Sequence, residues 1–155
     1  MNIEFTIASE NDIDLILDMM SEFYKHEQIK YNKEILRTAV IDIIQNPAFG
    51  KIWLISSDLE IVGYFALTFI FSMEYDGRNA LLDEFFIKDS FRAKGIGKET
   101  LKFIEQQCKL NDIHAVHLQV NNFNPSAKKL YELFGFEVVD RIFMKKNLNK
   151  YYNKK

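Results

Sequence analysis

The most informative loop of the chain reads Arg92-Ala93-Lys94-Gly95-Ile96-Gly97-Lys98, and it joins a predicted strand at 80–88 to a predicted helix at 97–110. In such an arrangement the first N–H groups of the helix lie at the positive end of its dipole, which suits an anion such as pyrophosphate. The two glycines permit unusual backbone angles and a close approach of the ligand. The three basic side chains add charge for phosphate oxygens, so the loop predicts a phosphate-binding turn in an α/β fold.

Two well-known nucleotide-binding motifs do not fit this loop. A Walker A loop requires glycine at the position of Arg92 and serine or threonine at the position of Glu99. A Rossmann loop requires a third glycine at the position of Thr100 and a strand at the start of a βαβ unit. A two-glycine loop taken alone is also compatible with a plain turn from strand to helix. The flanking sequence must therefore distinguish these interpretations.

Hydrophobic periodicity predicts the element order β-α-α-β-β-β-α-β-α-β. Ile3, Phe5 and Ile7 alternate with polar residues, and two helical stripes follow, the second capped by Asn32. The remaining predicted elements are strands at 51–56, 60–73 and 80–88, a helix at 97–110, a strand at 113–120, a helix that Asn124 can cap and that ends at Gly135, and a last strand at 136–146. The strand at 60–73 is apolar on both faces, which predicts a central position in the sheet.

Composition predicts a single soluble, cytoplasmic domain over residues 1–155, with a core at about 3–147 and a basic tail at 148–155. The chain has 155 residues, of which 48% are hydrophobic and 27% charged, as is typical of a globular protein. The net charge of −2 gives no strong field toward nucleic acid or acidic lipid. The longest apolar stretch, at 61–73, is 13 residues long and contains polar side chains, which is too short for a bilayer span. Cys108 is the only cysteine, which excludes an intramolecular disulfide.

Three sequence blocks occur in a fixed order, and together they resemble the GNAT superfamily of N-acetyltransferases. They are Leu82-Asp83-Glu84-Phe85-Phe86-Ile87, Arg92-x-x-Gly95-x-Gly97, and Asn124-x-x-Ala127-x-x-x-Tyr131-x-x-x-Gly135-Phe136. The resemblance covers essentially the whole chain, and the segment 82–102 also resembles diamine acetyltransferases. It implies an α/β fold with a mixed, mostly antiparallel central sheet, splayed strands and flanking helices. It also implies an enzyme that uses acetyl-CoA as cosubstrate.

The resemblance implies a set of cofactor-binding residues. The pyrophosphate of acetyl-CoA would be bound by the loop residues Arg92, Ala93, Lys94, Gly95, Ile96, Gly97 and Lys98. The backbone around Phe85, Phe86 and Ile87 would pair with the pantetheine arm, which in the family lies in a gap between two splayed strands. Asn124 and Tyr131 would contact the cofactor as well.

Acetyl transfer to an amine needs a proton donor for the leaving thiolate and a proton acceptor for the ammonium group. Tyr131 stands at the general-acid position of the family, and a phenol with a pKa of about 10 is a reasonable match for a thiolate. Asp83 and Glu84 are adjacent on a strand and should face opposite ways. Glu84 is the preferred base, with Asp83 close behind. Glu74 and Tyr75, with Glu84, are predicted to bind the substrate.

The predicted function is acetyl transfer from acetyl-CoA to a primary amine of a small cationic substrate, whether polyamine-like, aminoglycoside-like or amino-acid-like. The alternative is a GNAT-like module that binds CoA or senses it without turnover. We expect no metal, because His114 and His117 should face opposite sides of a strand and His26 lies in another element. We also expect no nucleic-acid or membrane partner, and a homodimer is left open.

Overall fold

The computed structural model describes residues 1–148, and within them five strands form one mixed sheet in the order β1-β2-β3-β4-β5. The strands are β1 (Ile3–Ile7), β2 (Gly50–Ser57), β3 (Glu60–Ser72), β4 (Gly77–Ile87) and β5 (Val116–Leu118). Neighbouring strands from β1 to β4 are antiparallel, whereas β4 and β5 are parallel. The central position predicted for β3 is confirmed, since it pairs with β2 and β4 along its length.

The principal helices of the described region are α1 (Ile13–His26), α2 (Lys33–Gln45), α3 (Ile96–Leu110) and α4 (Pro125–Leu133). Both predicted asparagine caps are confirmed. The side chain of Asn32 accepts hydrogen bonds from the backbone N–H groups of Glu34 and Ile35, at 3.0 and 3.1 Å. Asn124 accepts one from the N–H group of Ala127, at 3.1 Å, which satisfies a donor that the first helical turn leaves unpaired. Within residues 1–148, no helix has both the length and the apolar character that crossing a bilayer requires.

The sheet separates two hydrophobic clusters. One lies against α1 and α2 and includes Ile16, Met19, Val40, Leu54, Tyr64 and Phe86. The other lies against α3, with α4 at its margin, and includes Trp53, Phe65, Leu67, Leu82, Leu101 and Ile104. This two-sided burial explains why β3 is apolar on both faces.

A β-bulge in β4 changes the direction of its side chains. Ala66 pairs with Glu84 and the next residue of β3, Leu67, pairs with Leu82, so Asp83 is the extra residue of the ladder. Leu82 packs in the α3-side cluster, whereas Phe86 packs in the α1-side cluster, although strict alternation would give both the same face. The bulge thereby turns Glu84 toward α1.

The predicted last strand, at 136–146, is not present in the structure. Its apolar side chains include Ile142 and Met144, which are 90% and 85% exposed. A strand needs a partner edge, and β5 is only three residues long, so the alternating pattern finds no matching ladder within the described chain. The strand predicted at 113–120 is likewise reduced to Val116–Leu118. Apart from Leu148, the predicted basic tail lies outside the described residues.

Candidate functional site

A cleft of ≈ 1190 Å³ opens where β4 and β5 separate. The ladder between these strands ends at the pair Leu82–Leu118. Beyond it, residues 83–87 of β4 line one wall and residues 119–121 line the other, with the end of α1 and the beginnings of α3 and α4 completing the enclosure. The cleft is large enough for a cofactor-sized ligand. The predicted splay of two strands is thus present.

The backbone of β4 gives the cleft a binding edge. From Asp83 to Ile87 this strand pairs with β3 on one side and faces the cleft on the other. An extended ligand segment can pair with such an edge through main-chain hydrogen bonds, as an added strand would. The bulge at Asp83 lies at the point where the gap begins, which accounts for the abrupt end of the β4–β5 ladder.

The glycine loop lies at one end of the cleft. Ala93 and Gly95 have φ values of 60° and 87°, so the chain makes two left-handed steps before α3 begins at Ile96. Gly95 is the residue that caps α3, and it has no side chain to occupy the first N–H groups of the helix. A Cβ atom at Gly95 would meet nothing within 4 Å, so this position is open to a ligand. The helix dipole and the open N–H groups together favour an anion.

The basic side chains of the loop differ in their surroundings. Arg92 donates from Nε to the backbone oxygen of Ile87, at 2.9 Å, and forms an ion pair with Asp89, at 2.8 Å. Arg92 therefore ties the loop to the end of β4 as well as lining the cleft. Lys98 lines the cleft, whereas Lys94 lies over the ring of Phe91, 4.8 Å from its centroid.

Gly97 has a packing role in this loop. A Cβ atom there would lie 2.9 Å from a methyl carbon of Leu130, so glycine allows α3 and α4 to approach each other closely. The predicted cofactor residues Phe85, Phe86, Ile87, Ala93, Gly95, Asn124 and Tyr131 also line the cleft. Ile96 is buried in the α3-side cluster.

Glu84 is a buried carboxylate held by two tyrosines. It is 8% exposed, and its Oε2 accepts a hydrogen bond from the hydroxyl of Tyr64, at 2.8 Å. Its Oε1 accepts one from the hydroxyl of Tyr24 in α1. Burial raises the pKa of Glu84 to about 7, although the two hydrogen bonds act in the opposite direction; the charge of Asp83 adds a smaller increase. A carboxylate with this pKa exchanges protons readily near neutral pH.

Asp83 lines the same cleft but is solvent-exposed. Partial desolvation by the cleft walls raises the pKa of Asp83 above its ordinary value. The two adjacent carboxylates therefore differ in environment: Glu84 is enclosed and hydrogen-bonded, and Asp83 is in contact with water. Of the two, Glu84 has the stronger features of a proton acceptor.

Tyr131 lines the cleft from α4. Its ring is half-buried and packs edge-on against Phe136, with centroids 5.7 Å apart. Burial raises the pKa of Tyr131 to about 12, and the charge of Glu27 adds to this effect. The hydroxyl therefore keeps its proton at neutral pH, which a general acid requires.

Sequence reasoning missed three residues of this site: Tyr24, Glu27 and Tyr64. The side chain of Glu27 is only 9% exposed, lines the cleft, and accepts a hydrogen bond from Asn121 across it. In the sequence, Tyr24 and Tyr64 belong to the apolar stripes of α1 and β3, respectively. Such periodicity predicts burial but does not show which hydroxyl meets which carboxylate.

The structure brings Glu74 and Tyr75 to a different location. Glu74 is paired with Arg141 through contacts of 2.9 and 2.5 Å, and Tyr75 packs edge-on against His117, with centroids 4.5 Å apart. Neither residue is part of the cleft lining. Among residues 1–148, no group of three or more His, Cys, Asp or Glu side chains is arranged to hold a metal ion.

Comparison with known proteins agrees with this geometry. Residues 14–136 match the family model described as "Acetyltransferase (GNAT) family". A thialysine N-epsilon-acetyltransferase from Sus scrofa is 29% identical over 141 residues, which cover 83% of this chain and 80% of that protein. A spermine/spermidine N(1)-acetyltransferase from Bacillus subtilis is 36% identical over 83 residues, or 50% of this chain and 53% of that protein.

A solved structure extends the similarity to the three-dimensional fold. An integron cassette protein from the mobile metagenome of Cole Harbour Salt Marsh superimposes with a TM-score of 0.82 at 30% sequence identity. The superposition covers 94% of this chain and 90% of that chain. The mixed sheet and its flanking helices are therefore a shared architecture.

Proposed function

We propose, since the chain belongs to the GNAT acetyltransferase family, that this N-acetyltransferase moves the acetyl group of acetyl-CoA to a primary amine of a small cationic substrate. One observation carries the proposal: the glycine loop, the cleft-facing edge of β4 and the buried Glu84 lie along one continuous cleft. The loop would hold the pyrophosphate through backbone N–H groups, and residues 83–87 would pair with the pantetheine arm. With acetyl-CoA bound in this way, the thioester would lie in the part of the cleft that Glu84 lines.

The cleft residues account for each proton of the reaction. An alkylammonium group has a pKa of about 10.4 and must lose a proton before its nitrogen can attack. Glu84 accepts that proton, and its pKa of about 7 suits the task at neutral pH. The nitrogen then attacks the carbonyl carbon, and a backbone N–H group of β4 stabilises the oxyanion. As the C–S bond breaks, Tyr131 gives its proton to the sulfur and recovers one from the new amide nitrogen.

Acidic side chains favour a cationic acceptor. Glu27, Asp83 and Glu84 all line the cleft, and negative charge there attracts ammonium groups and disfavours anionic amines. The named activities of two relatives, on thialysine and on spermine or spermidine, concern amines that carry positive charge. These observations support a polyamine-like or amino-acid-like acceptor, and aminoglycosides remain within the same chemical class.

A thiol-release assay tests the proposal. The purified protein is mixed with acetyl-CoA and single amines: spermidine, thialysine, lysine, an aminoglycoside, and an anionic amine such as glutamate. We expect CoA thiol release with at least one cationic amine, an acetylated product by mass spectrometry, and no reaction with glutamate. Glu84→Gln should lose most of this rate, whereas Glu105→Gln, which changes an exposed glutamate on α3, should keep it.

The alternative function, CoA binding without turnover, makes a different prediction. Such a module would bind acetyl-CoA in calorimetry but release no thiol with any amine. The features that favour an enzyme are Glu84 and Tyr131, because a module that only binds CoA needs neither a proton acceptor of near-neutral pKa nor a neutral phenol beside the thioester. Binding without acetylated product would establish the alternative.

A further inference from the structure

The hydroxyl of Tyr24 lies at the boundary between Glu84 and the cleft. Both oxygens of Glu84 accept a tyrosine hydroxyl, Oε1 from Tyr24 and Oε2 from Tyr64. The two tyrosines differ in what else they can reach. Tyr64 is 0% exposed within the sheet, whereas Tyr24 is half-buried and forms part of the cleft wall. Of these two hydrogen-bond donors to Glu84, only Tyr24 can also meet a bound amine.

We propose that Tyr24 passes the proton of the substrate ammonium to Glu84, so that it is a catalytic residue in its own right. The proposal rests on the proposed function, in which Glu84 is the final acceptor. In this step the N–H bond of the ammonium breaks as its proton moves to the Tyr24 oxygen. The O–H bond of Tyr24 breaks as its own proton moves to Oε1. The products are a neutral amine and a neutral carboxylic acid, and Tyr24 is unchanged.

Aromatic contacts hold the ring of Tyr24 in addition to the hydrogen bond from its hydroxyl. The ring lies edge-on to that of Tyr31, with ring centroids 5.2 Å apart. It also packs against the ring of Phe23, with ring centroids 5.8 Å apart. Tyr31 is itself held by a hydrogen bond from its hydroxyl to Ser21, at 2.7 Å. Replacing Tyr24 with phenylalanine should therefore preserve the ring position and remove only the hydroxyl.

The titratable groups that act on Glu84 are few in the described structure. They are Tyr24 from α1, Tyr64 from β3, and Asp83 from its own strand. The hydrogen bonds from the two hydroxyls lower the pKa of Glu84, and the charge of Asp83 raises it. Loss of either hydroxyl should thus raise the pKa of Glu84, which makes Tyr64 a matched comparison for Tyr24. Both substitutions should raise the pKa of Glu84, but only Tyr24→Phe removes a hydroxyl that can reach a substrate in the cleft.

The experiment compares pH–rate profiles of Tyr24→Phe, Tyr64→Phe and Tyr31→Phe on an amine that the wild type accepts. We expect the acidic limb to move to higher pH in the first two variants. On the plateau between the acidic limb and the pKa of the amine, Tyr24→Phe should lose about 100-fold in kcat, whereas Tyr64→Phe should lose about fivefold or less, because the substrate still has an ammonium proton to lose there. Tyr31→Phe removes the hydrogen bond to Ser21 but keeps the ring against Tyr24, so it should lose no more than Tyr64→Phe, and acetyl-CoA affinity should be unchanged throughout.

A second variant guards against a folding defect. Tyr24→Gln replaces the phenol with an amide, which can donate a hydrogen bond but cannot relay a proton, so it should show at least the same plateau loss. Circular dichroism and the midpoint of thermal unfolding check that each variant is folded.

Three results would overturn the relay. A folded Tyr24→Phe enzyme that keeps the plateau kcat of the wild type would show that Glu84 takes the proton directly from the amine. Equal plateau losses in the two variants would show that both tyrosines only position the carboxylate. A wild type that releases no thiol with any amine would remove the proposed function itself, and with it the relay. The first two results leave the proposed function intact.

Discussion

Replacing Glu84 with glutamine should make the stability of the protein less dependent on pH. Glutamine has nearly the same shape, and its amide can still hydrogen-bond both Tyr24 and Tyr64 in place of the carboxylate. The substitution thus removes the titration of a buried group and little else. Its effect follows from the difference between the folded and unfolded pKa of one side chain.

The magnitude can be worked out from the environment of Glu84. Burial raises its pKa from 4.5 to about 7, a difference of about 2.5 units. Because the folded state binds this proton more tightly than the unfolded state, the stabilisation is fully present below pH 4.5 and is lost as the pH rises through 7. At 1.36 kcal/mol per unit, the loss amounts to about 3 kcal/mol. The free energy of unfolding of Glu84→Gln, relative to wild type, should therefore increase by about 3 kcal/mol from acid to weakly alkaline pH.

Urea unfolding at closely spaced pH values between about 4 and 8.5 measures this difference directly, since this range brackets both pKa values. Asp83→Asn is the matched control, because the pKa of Asp83 is also raised but its side chain remains exposed. Its stability difference should change in the same direction and by less. A Glu84→Gln difference that stays constant across the range, or that falls with pH, would refute the assignment of a raised pKa to Glu84.

Three further predictions concern the reaction and the cofactor. Asp83→Asn removes a charge that raises the pKa of Glu84, so the acidic limb of kcat/KM should move to lower pH; a limb that stays in place or rises would contradict this. Gly95→Glu introduces a charged side chain at a left-handed position beside the N-terminus of α3. Calorimetry should show an affinity for acetyl-CoA that is at least 100-fold weaker, a loss of about 3 kcal/mol, with Lys94→Ala as the milder control. Tyr131→Phe should lower kcat about 100-fold while the acetyl-CoA dissociation constant stays within about twofold. A Tyr131→Phe enzyme with normal turnover, where chemistry limits the rate, would exclude it as the acid.

Local sequence features predicted the loop, the caps and the order of most elements. The signals of Asn32, Asn124 and Gly95 depend on residues within one or two turns, so they can be seen in the chain itself. The apolar faces of β3 likewise report its central position without knowledge of its neighbours. These are cases in which local preference and the final fold agree.

The remaining features depend on pairing between distant segments. The bulge at Asp83 exists only relative to Ala66 and Leu67 of β3, and it changes the face on which Glu84 lies. The hydrogen bonds of Glu84 join residues 60 and 20 positions apart in the sequence, so no local pattern reveals them. The prediction of a last strand at 136–146 was wrong because the alternating pattern is a local property, whereas the partner edge that a strand needs depends on distant residues.

Desolvation explains how one cleft can hold both the proposed base, Glu84, and the proposed acid, Tyr131. It raises the pKa of Glu84 to about 7 and that of Tyr131 to about 12, so the first can accept a proton near neutral pH and the second keeps its own. A phenol of this pKa is a weaker acid than a thiol of about 8.5, so Tyr131 cannot donate to the thiolate in isolation. It can donate when it receives the proton of the amide nitrogen in the same step, because its own charge then never changes. The proposed mechanism therefore requires that the two proton transfers be coupled at Tyr131, as in the proposed relay through Tyr24. With both couplings, no buried tyrosinate forms at any stage.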